Sequence, residues 1–167
     1  VGLVGYAGSA FPQVPITTDY ASTKTFLQSM NTDMVSSQGT AISQALDLAR
    51  SYYNDDDQTN KVLVILSEGE DHDGNAESMA EQAAEEGIRI YTIGVGTERG
   101  DPIPIRSDGR IQSYLKNDAG ETVITKKDTE TLQRIAEIGN GSYIDGASTS
   151  KAVDEILGEL QKIEKTE

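Results

Sequence analysis

The chain has 167 residues, enough for one domain with a substantial core. Its 28 acidic residues against 14 basic give a formal net charge of −14, which repels phosphate backbones and anionic membrane surfaces and so argues against nucleic-acid binding. There is no cysteine, which excludes disulfides, zinc–thiolate sites and thiol catalysis. No apolar run approaches the ~18 residues of a membrane helix.

In chain order, residues 1–6 are apolar but too short and uncharged for a signal peptide. They read as a strand already under way, so the chain is expected to begin inside a domain. Residues 19–30 follow Thr17 and Thr18 as a weakly patterned helix. Ile42, Ala45, Leu46, Ala49 and Tyr52 then recur at the spacing of one helix face. Asn54, Asp55, Asp56 and Asp57 lack the alternating ligands and glycine of a calcium loop and read as a solvated turn. The continuous apolar runs at 62–66 and 88–95 suit strands buried on both faces, as in a parallel sheet. Between them lies an Ala/Glu-rich helix at 78–86, with Asn75 as its cap and Gly87 as its stop.

Residues 97–127 break the alternation. Their prolines and glycines, with short strands at 111–114 and 121–124 around Asn117 to Gly120, read as a β-hairpin insertion over about 98–126. A helix follows with Asp128 as N-cap, Leu132, Ile135 and Ala136 as its stripe and Gly139 at its end. Ser150 is placed to cap the last helix, whose buried face is expected at Val153, Ile156, Leu157, Leu160 and Ile163. Strand and helix alternate, which predicts an α/β fold with helices on both faces of a mostly parallel sheet.

Ligand sites in such sheets lie beyond the carboxyl ends of the strands. The strand at 62–66 runs into Ser67, Glu68, Gly69, Glu70, Asp71, His72 and Asp73, where four carboxylates and the only histidine crowd together. Clustered carboxylates repel unless solvent or a cation separates them, so the loop is either a solvated acidic turn or a site for a hard metal. Upstream, residues 36–40 lead into a helix starting near Ala41. There the Thr40 hydroxyl could cap the helix or serve as an oxygen ligand at its mouth.

Three segments together resemble a von Willebrand factor A-type (VWA) domain: Gly39-Thr40-Ala41-Ile42, the strand at 62–66 with Ser67-Glu68-Gly69-Glu70-Asp71-His72, and Ile90 to Thr97. The resemblance is closer to the bacterial Bat proteins, named for aerotolerance, through Tyr6-Ala7-Gly8-Ser9-Ala10-Phe11, Ile16-Thr17-Thr18-Asp19-Tyr20, and Gly94-Val95-Gly96-Thr97 followed by Pro102-Ile103-Pro104. It extends to about Gly146.

This resemblance implies a Rossmann-like VWA fold and a protein-interaction role through a metal-ion-dependent adhesion site (MIDAS). In that site Mg²⁺, or Mn²⁺ or Ca²⁺, is held by an Asp-x-Ser-x-Ser motif after the first strand, a Thr and an Asp, and a carboxylate of the partner completes the shell. Thr40 matches the Thr. Glu68 stands where the family usually has Asp. The first strand and its motif are not in this sequence, so residues 1–167 are expected to be one N-terminally incomplete domain with a gap between the neighbours of the absent strand. The resemblance also implies a membrane-anchored protein of the bacterial cell envelope, associated with a MoxR-type ATPase in stress tolerance or complex assembly.

Two rival readings stand beside the adhesion site. A metal-free scaffold would keep the fold and use Glu68 as an ordinary surface carboxylate. A metal-assisted hydrolase would use His72, but no second histidine, Gly-x-Ser-x-Gly elbow or phosphate-gripping Gly-x-x-x-x-Gly-Lys is present, so no enzyme is expected.

Overall fold

The two continuous apolar runs form neighbouring parallel strands, but only the second is buried on both faces; the first lies at the edge of the sheet among the described residues, and its Leu66 is 61% exposed. The computed structural model describes residues 1–35, 39–53, 60–71 and 74–164. Strand β3 (Lys61–Ser67) pairs in parallel with β4 (Ile88–Gly94), from Lys61 opposite Ile88 to Ser67 opposite Gly94. The latter pairs in parallel with β9 (Tyr143–Asp145). A separate antiparallel pair, β1 (Leu3–Tyr6) and β2 (Ala10–Val14), opens the chain.

Helices α1 (Tyr20–Ser29), α2 (Ile42–Arg50), α3 (Ala76–Glu85), α4 (Thr129–Ile138) and α5 (Thr149–Glu164) complete the scaffold. One face of the sheet is a closed core in which Ile42 and Leu46 of α2, Ala80 and Ala83 of α3, and Ile135 of α4 pack on Ile65, Ile88 and Ile90. The short alanines let α3 lie close to the strands. Buried Thr92 adds a tie, its hydroxyl donating to the Leu132 carbonyl at 2.9 Å. Helix α5 packs against β9, so helices lie on both faces.

The helix-end residues behave unevenly. Asp128 caps α4 as expected, accepting from the Thr131 amide at 3.0 Å, and Asp19 caps α1 in the same way through Ser22. Asn75 sits at the N-cap of α3 without a side-chain cap bond, and the Asp71 carboxylate accepts from the Ala76 amide at 3.1 Å instead. Helix α5 begins at Thr149, two residues earlier than a cap at Ser150 would place it, so Ser150 lies inside its first turn rather than capping it.

The expected buried face of α5 is also incomplete. Ile163 is buried, but Val153 is 47% exposed and Leu157 is 50% exposed, because the surface beside them is open. The insertion is built from two pairings, not one hairpin around Asn117. Strand β6 (Pro104–Ser107) turns through Asp108 and Gly109, both at positive φ, into β7 (Arg110–Tyr114). Strands β5 (Asp101–Pro102) and β8 (Ile124–Thr125) pair at its base. The turn at Asn117 closes only a Lys116–Thr122 bridge. Tyr114 is 43% exposed on this ribbon.

Strands β1 and β3 do not pair with each other. Three tyrosines bound the space between them: the Tyr6 hydroxyl donates to the Leu66 carbonyl at 3.1 Å, Tyr53 to Val62 at 2.5 Å, and Tyr52 to Leu3 at 3.2 Å. Burial pushes the Tyr6 and Tyr53 phenols above their ordinary range. A phenol raised in the fold contributes stability that is complete below its unfolded value near ~10 and is lost as pH rises through the raised value. Phenolate absorbance should therefore show a class ionising above the ordinary tyrosine range, coincident with loss of stability. Tyr6→Phe should remove one member of that class. A single ordinary titration for every tyrosine would refute the burial argument.

Candidate functional site

The level register of β3, β4 and β9 brings three loop starts to one end of the sheet. The Val95 amide donates to the Ser67 carbonyl at 2.9 Å, and the Gly146 amide donates to Gly94 at 2.8 Å. The loop carrying Thr40 joins this end through β1–β2, because the Ala41 amide donates to the Ala7 carbonyl at 2.7 Å. That bond changes the role expected of Thr40. Ala41 is the N-cap of α2 and has no side-chain cap bond, so Thr40 lies one residue before the cap and does not fill it. The strand carbonyl takes the Ala41 amide and sets the helix start one residue later.

The turn after β3 is tightly determined. The Gly69 amide donates to the Ser67 hydroxyl at 2.9 Å. Gly69 adopts φ +88°, and a Cβ there would lie 2.3 Å from the Asp128 carbonyl. Only glycine meets both demands, the left-handed backbone and the close approach to the start of α4. The Asp128 amide returns the contact, donating to the Glu68 carbonyl at 2.6 Å.

Within this turn each carboxylate has at least one oxygen engaged, while Asp71 Oδ1 is buried without a hydrogen-bond partner. The Thr125 hydroxyl donates to Glu68 Oε2, the Lys126 amide donates to Glu70 Oε1 at 3.1 Å, and Asp71 caps α3. The Glu68 side chain also lies beside Gly96, where a Cβ would stand 3.0 Å from Oε1. Lys127 Nζ lies 3.1 Å from Asp145 Oδ1. The pair raises the Lys127 ammonium and lowers the Asp145 carboxyl, in both cases mainly through their mutual hydrogen bond. Thr129 adds a bond to Glu98 at 3.2 Å. Glu68, Glu70 and Asp145 thus receive the returning limb of the insertion. Spacing could not reveal this, because Thr125 lies 57 residues from Glu68.

A hydroxyl and a carboxylate suit a hard cation in chemistry but not in number, since Mg²⁺ takes six ligands in near-octahedral geometry. Among the described residues no group of three or more His, Asp or Glu side chains could hold a metal ion. His72 and Asp73, Asn54 to Asp57, and Ser36 to Gln38 lie outside the described residues.

The parallel sheet, its helices on both faces and the loop cluster at its carboxyl end match a family model, the von Willebrand factor type A domain, over residues 1–162. The chain belongs to that family. Its structure superposes on that of the conserved hypothetical protein BatB from Bacteroides thetaiotaomicron with a TM-score of 0.91 at 35% identity, covering 98% of this chain and 78% of that one. An aerotolerance-related membrane protein from Bacteroides fragilis, solved with multiple mutations to serines, gives a TM-score of 0.89 at 35% identity, covering 96% and 78%. A curated relative, the UPF0353 protein of Mycolicibacterium paratuberculosis, is 28% identical over 97% of this chain. The chain spans 46% of that relative's length. Among the described residues no helix is long and apolar enough to cross a membrane.

The Glu68 carboxylate, at the end of β3, accepts the Thr125 hydroxyl of the insertion. Glu68→Asp should release this contact, costing roughly 1–2 kcal/mol as a hydrogen bond to a charged group. Trypsin should then cut faster after Lys126. An unchanged melting curve together with an unchanged cleavage rate would show that Glu68 does not anchor the insertion.

Proposed function

We propose that this domain is a non-enzymatic interaction module that engages a protein partner through the loop end of its sheet. The observation that carries the reading is the convergence there of the Thr40–Ala41 loop, Ser67 to Glu70 and Gly94 to Thr97, on rigid strand ends. Binding residues on loops set by a rigid scaffold are the common arrangement for recognition. In the finer form of this reading, Thr40 and Glu68 contribute two oxygens to a divalent cation, Mg²⁺ by chemistry. Further oxygens, among them a partner carboxylate, complete its shell. Glu68 would then have to exchange the Thr125 hydroxyl for the ion.

By the Bat resemblance, the physiological setting is the bacterial cell envelope, in stress tolerance or complex assembly with a MoxR-type ATPase. A second reading, a metal-free scaffold that binds through the same loops, is favoured by one observation: the Glu68 carboxylate already has its partner in Thr125.

Calorimetric titration with Mg²⁺ and Mn²⁺ separates the two. The protein should bind with an affinity that Thr40→Ala lowers at least tenfold, ~1.4 kcal/mol. Partner binding by the full-length protein that survives both Thr40→Ala and chelation would overturn the metal form and leave the metal-free scaffold.

A further inference from the structure

The ribbon of β6 and β7 stands off the domain with nothing packed on either of its faces. Every residue of both strands is exposed. A lone two-stranded ribbon is marginally stable in water and gains stability from a third strand or from packing on one face. Among the described residues no further strand pairs with β6 or β7. The insertion is tied to the sheet at its base, through Thr125, Lys126 and Lys127.

The register sorts the ribbon's side chains onto two faces. Pro104 stands opposite Tyr114, and Arg106 stands opposite Ile111. Residues two apart on a strand share a face, and so do directly opposed partners. Pro104, Arg106, Ile111 and Tyr114 therefore form one face. Ile105 opposite Ser113 and Ser107 opposite Arg110 form the other. The first face seats a single guanidinium among three apolar or aromatic groups, with Ile111 48% exposed. Tyrosine and arginine are the side chains enriched as anchors of protein interfaces, and a contiguous exposed apolar patch marks such a surface.

The edges of the ribbon are poor templates for an added strand. Pro104 has no N–H to offer, and Gln112 has no partner in the register, so it bulges β7. The face is left as the surface that can dock something.

Charge decides what that is. Between Pro104 and Lys116 the chain has three basic residues, Arg106, Arg110 and Lys116, and one acidic residue, Asp108, in a protein of net charge −14. Among the described residues neither Arg106 nor Arg110 is held in an ion pair. A cationic arm on an anionic body attracts a negative group that meets the arm alone. An anionic membrane would present its charge to the body as well, and a second copy would bring the same net negative charge, so both are repelled. Screening over about 10 Å at 0.1 M salt lets a single extended segment reach the ribbon without meeting most of that repulsion.

We propose that the face formed by Pro104, Arg106, Ile111 and Tyr114 docks an extended acidic segment of a partner protein. One carboxylate of the segment pairs with Arg106, and the apolar side chains on either side of it cover Ile111 and Tyr114. Removal of water from around the pair strengthens it, since the guanidinium and carboxylate then meet in apolar surroundings.

Fluorescence anisotropy tests the proposal with a short labelled peptide that has valine, glutamate and valine at alternate positions and serines between them. The titration is run in EDTA, so no metal at the loop end of the sheet contributes. The peptide should bind saturably, and Arg106→Glu should weaken it by roughly tenfold or more, as loss of an anchoring charge pair does. A peptide with glutamine in place of the glutamate should be weakened to a similar degree, and so should binding by Tyr114→Ser. Ile105→Ser, on the opposite face, should leave the affinity unchanged. Arg106, Tyr114 and Ile105 are exposed, so the melting temperature should not move and a fall in affinity reports the face rather than the fold. Absence of saturable binding would overturn the proposal, as would an equal loss with Ile105→Ser. Binding to phosphatidylglycerol vesicles in place of the peptide, or self-association in sedimentation, would also overturn it if either is lost in Arg106→Glu, since a membrane or a second copy would then occupy the face.

Discussion

The register of β3 on β4 is the constraint from which the loop end of this molecule follows. Ile65 of β3 and Ile88 and Ile90 of β4 are buried, so neither strand can slip without moving them out of the core they share with α2, α3 and α4. With the register fixed, Ser67 and Gly94 end level, and β9 adds Asp145 beside them. Buried Thr92 then locks α4 to the same ladder through the Leu132 carbonyl. The start of α4 at Asp128 is thereby held against Gly69, close enough that a side chain at position 69 could not be accommodated. The loops are placed by hydrophobic packing two layers away, which is what a binding surface built on loops requires.

On that frame Glu68 serves one purpose visibly and is suited to a second. The ribbon β6–β7 is exposed along its length and buries almost nothing, so it cannot be positioned by packing of its own. It is held at its base by Glu68 to Thr125, Glu70 to the Lys126 amide, and Lys127 to Asp145. The first two are bonds to carboxylates that follow β3, so the turn after β3 is the attachment point for the insertion. The proposed metal ligation would draw on the same Glu68 carboxylate and so would be felt along the ribbon.

The parts legible in the sequence were those with a single local cause. Continuous apolar runs at 62–66 and 88–94 have few readings besides buried parallel strands, and Asp128 ahead of an apolar stripe is a helix start. Thr40 misled because cap preference says nothing about a carbonyl from β1–β2 arriving at Ala41. In the insertion, Asp108-Gly109 carries the stronger two-residue turn signal, since both central residues of a type I′ turn need positive φ, yet the glycine and asparagine near 117–120 drew the strand assignment. Glu68 with Thr125, and Glu70 with Lys126, join positions far apart in the chain, and no spacing rule encodes them. The stripe of α5 was correctly read as apolar. Whether such a stripe is buried depends on what lies opposite, which the helix itself does not specify.

That last point bears on how the two halves of the sheet stay together. Between β1 and β3, one face is continuous because α2 bridges it: its Leu46 belongs to the core with Ile65, while Ala41 at its head is bonded to Ala7 and the adjoining Tyr52 is bonded to Leu3. Leu66 of β3 and Leu157 of α5 are exposed. The β1–β2 pair is thus joined to the main sheet through one helix and through the Tyr6 hydroxyl on the Leu66 carbonyl. Because the Thr40 loop is fastened to β1–β2 and Glu68 follows β3, the spacing of these two residues is set by α2 and by Tyr6, and the loop end is as rigid as those two ties make it.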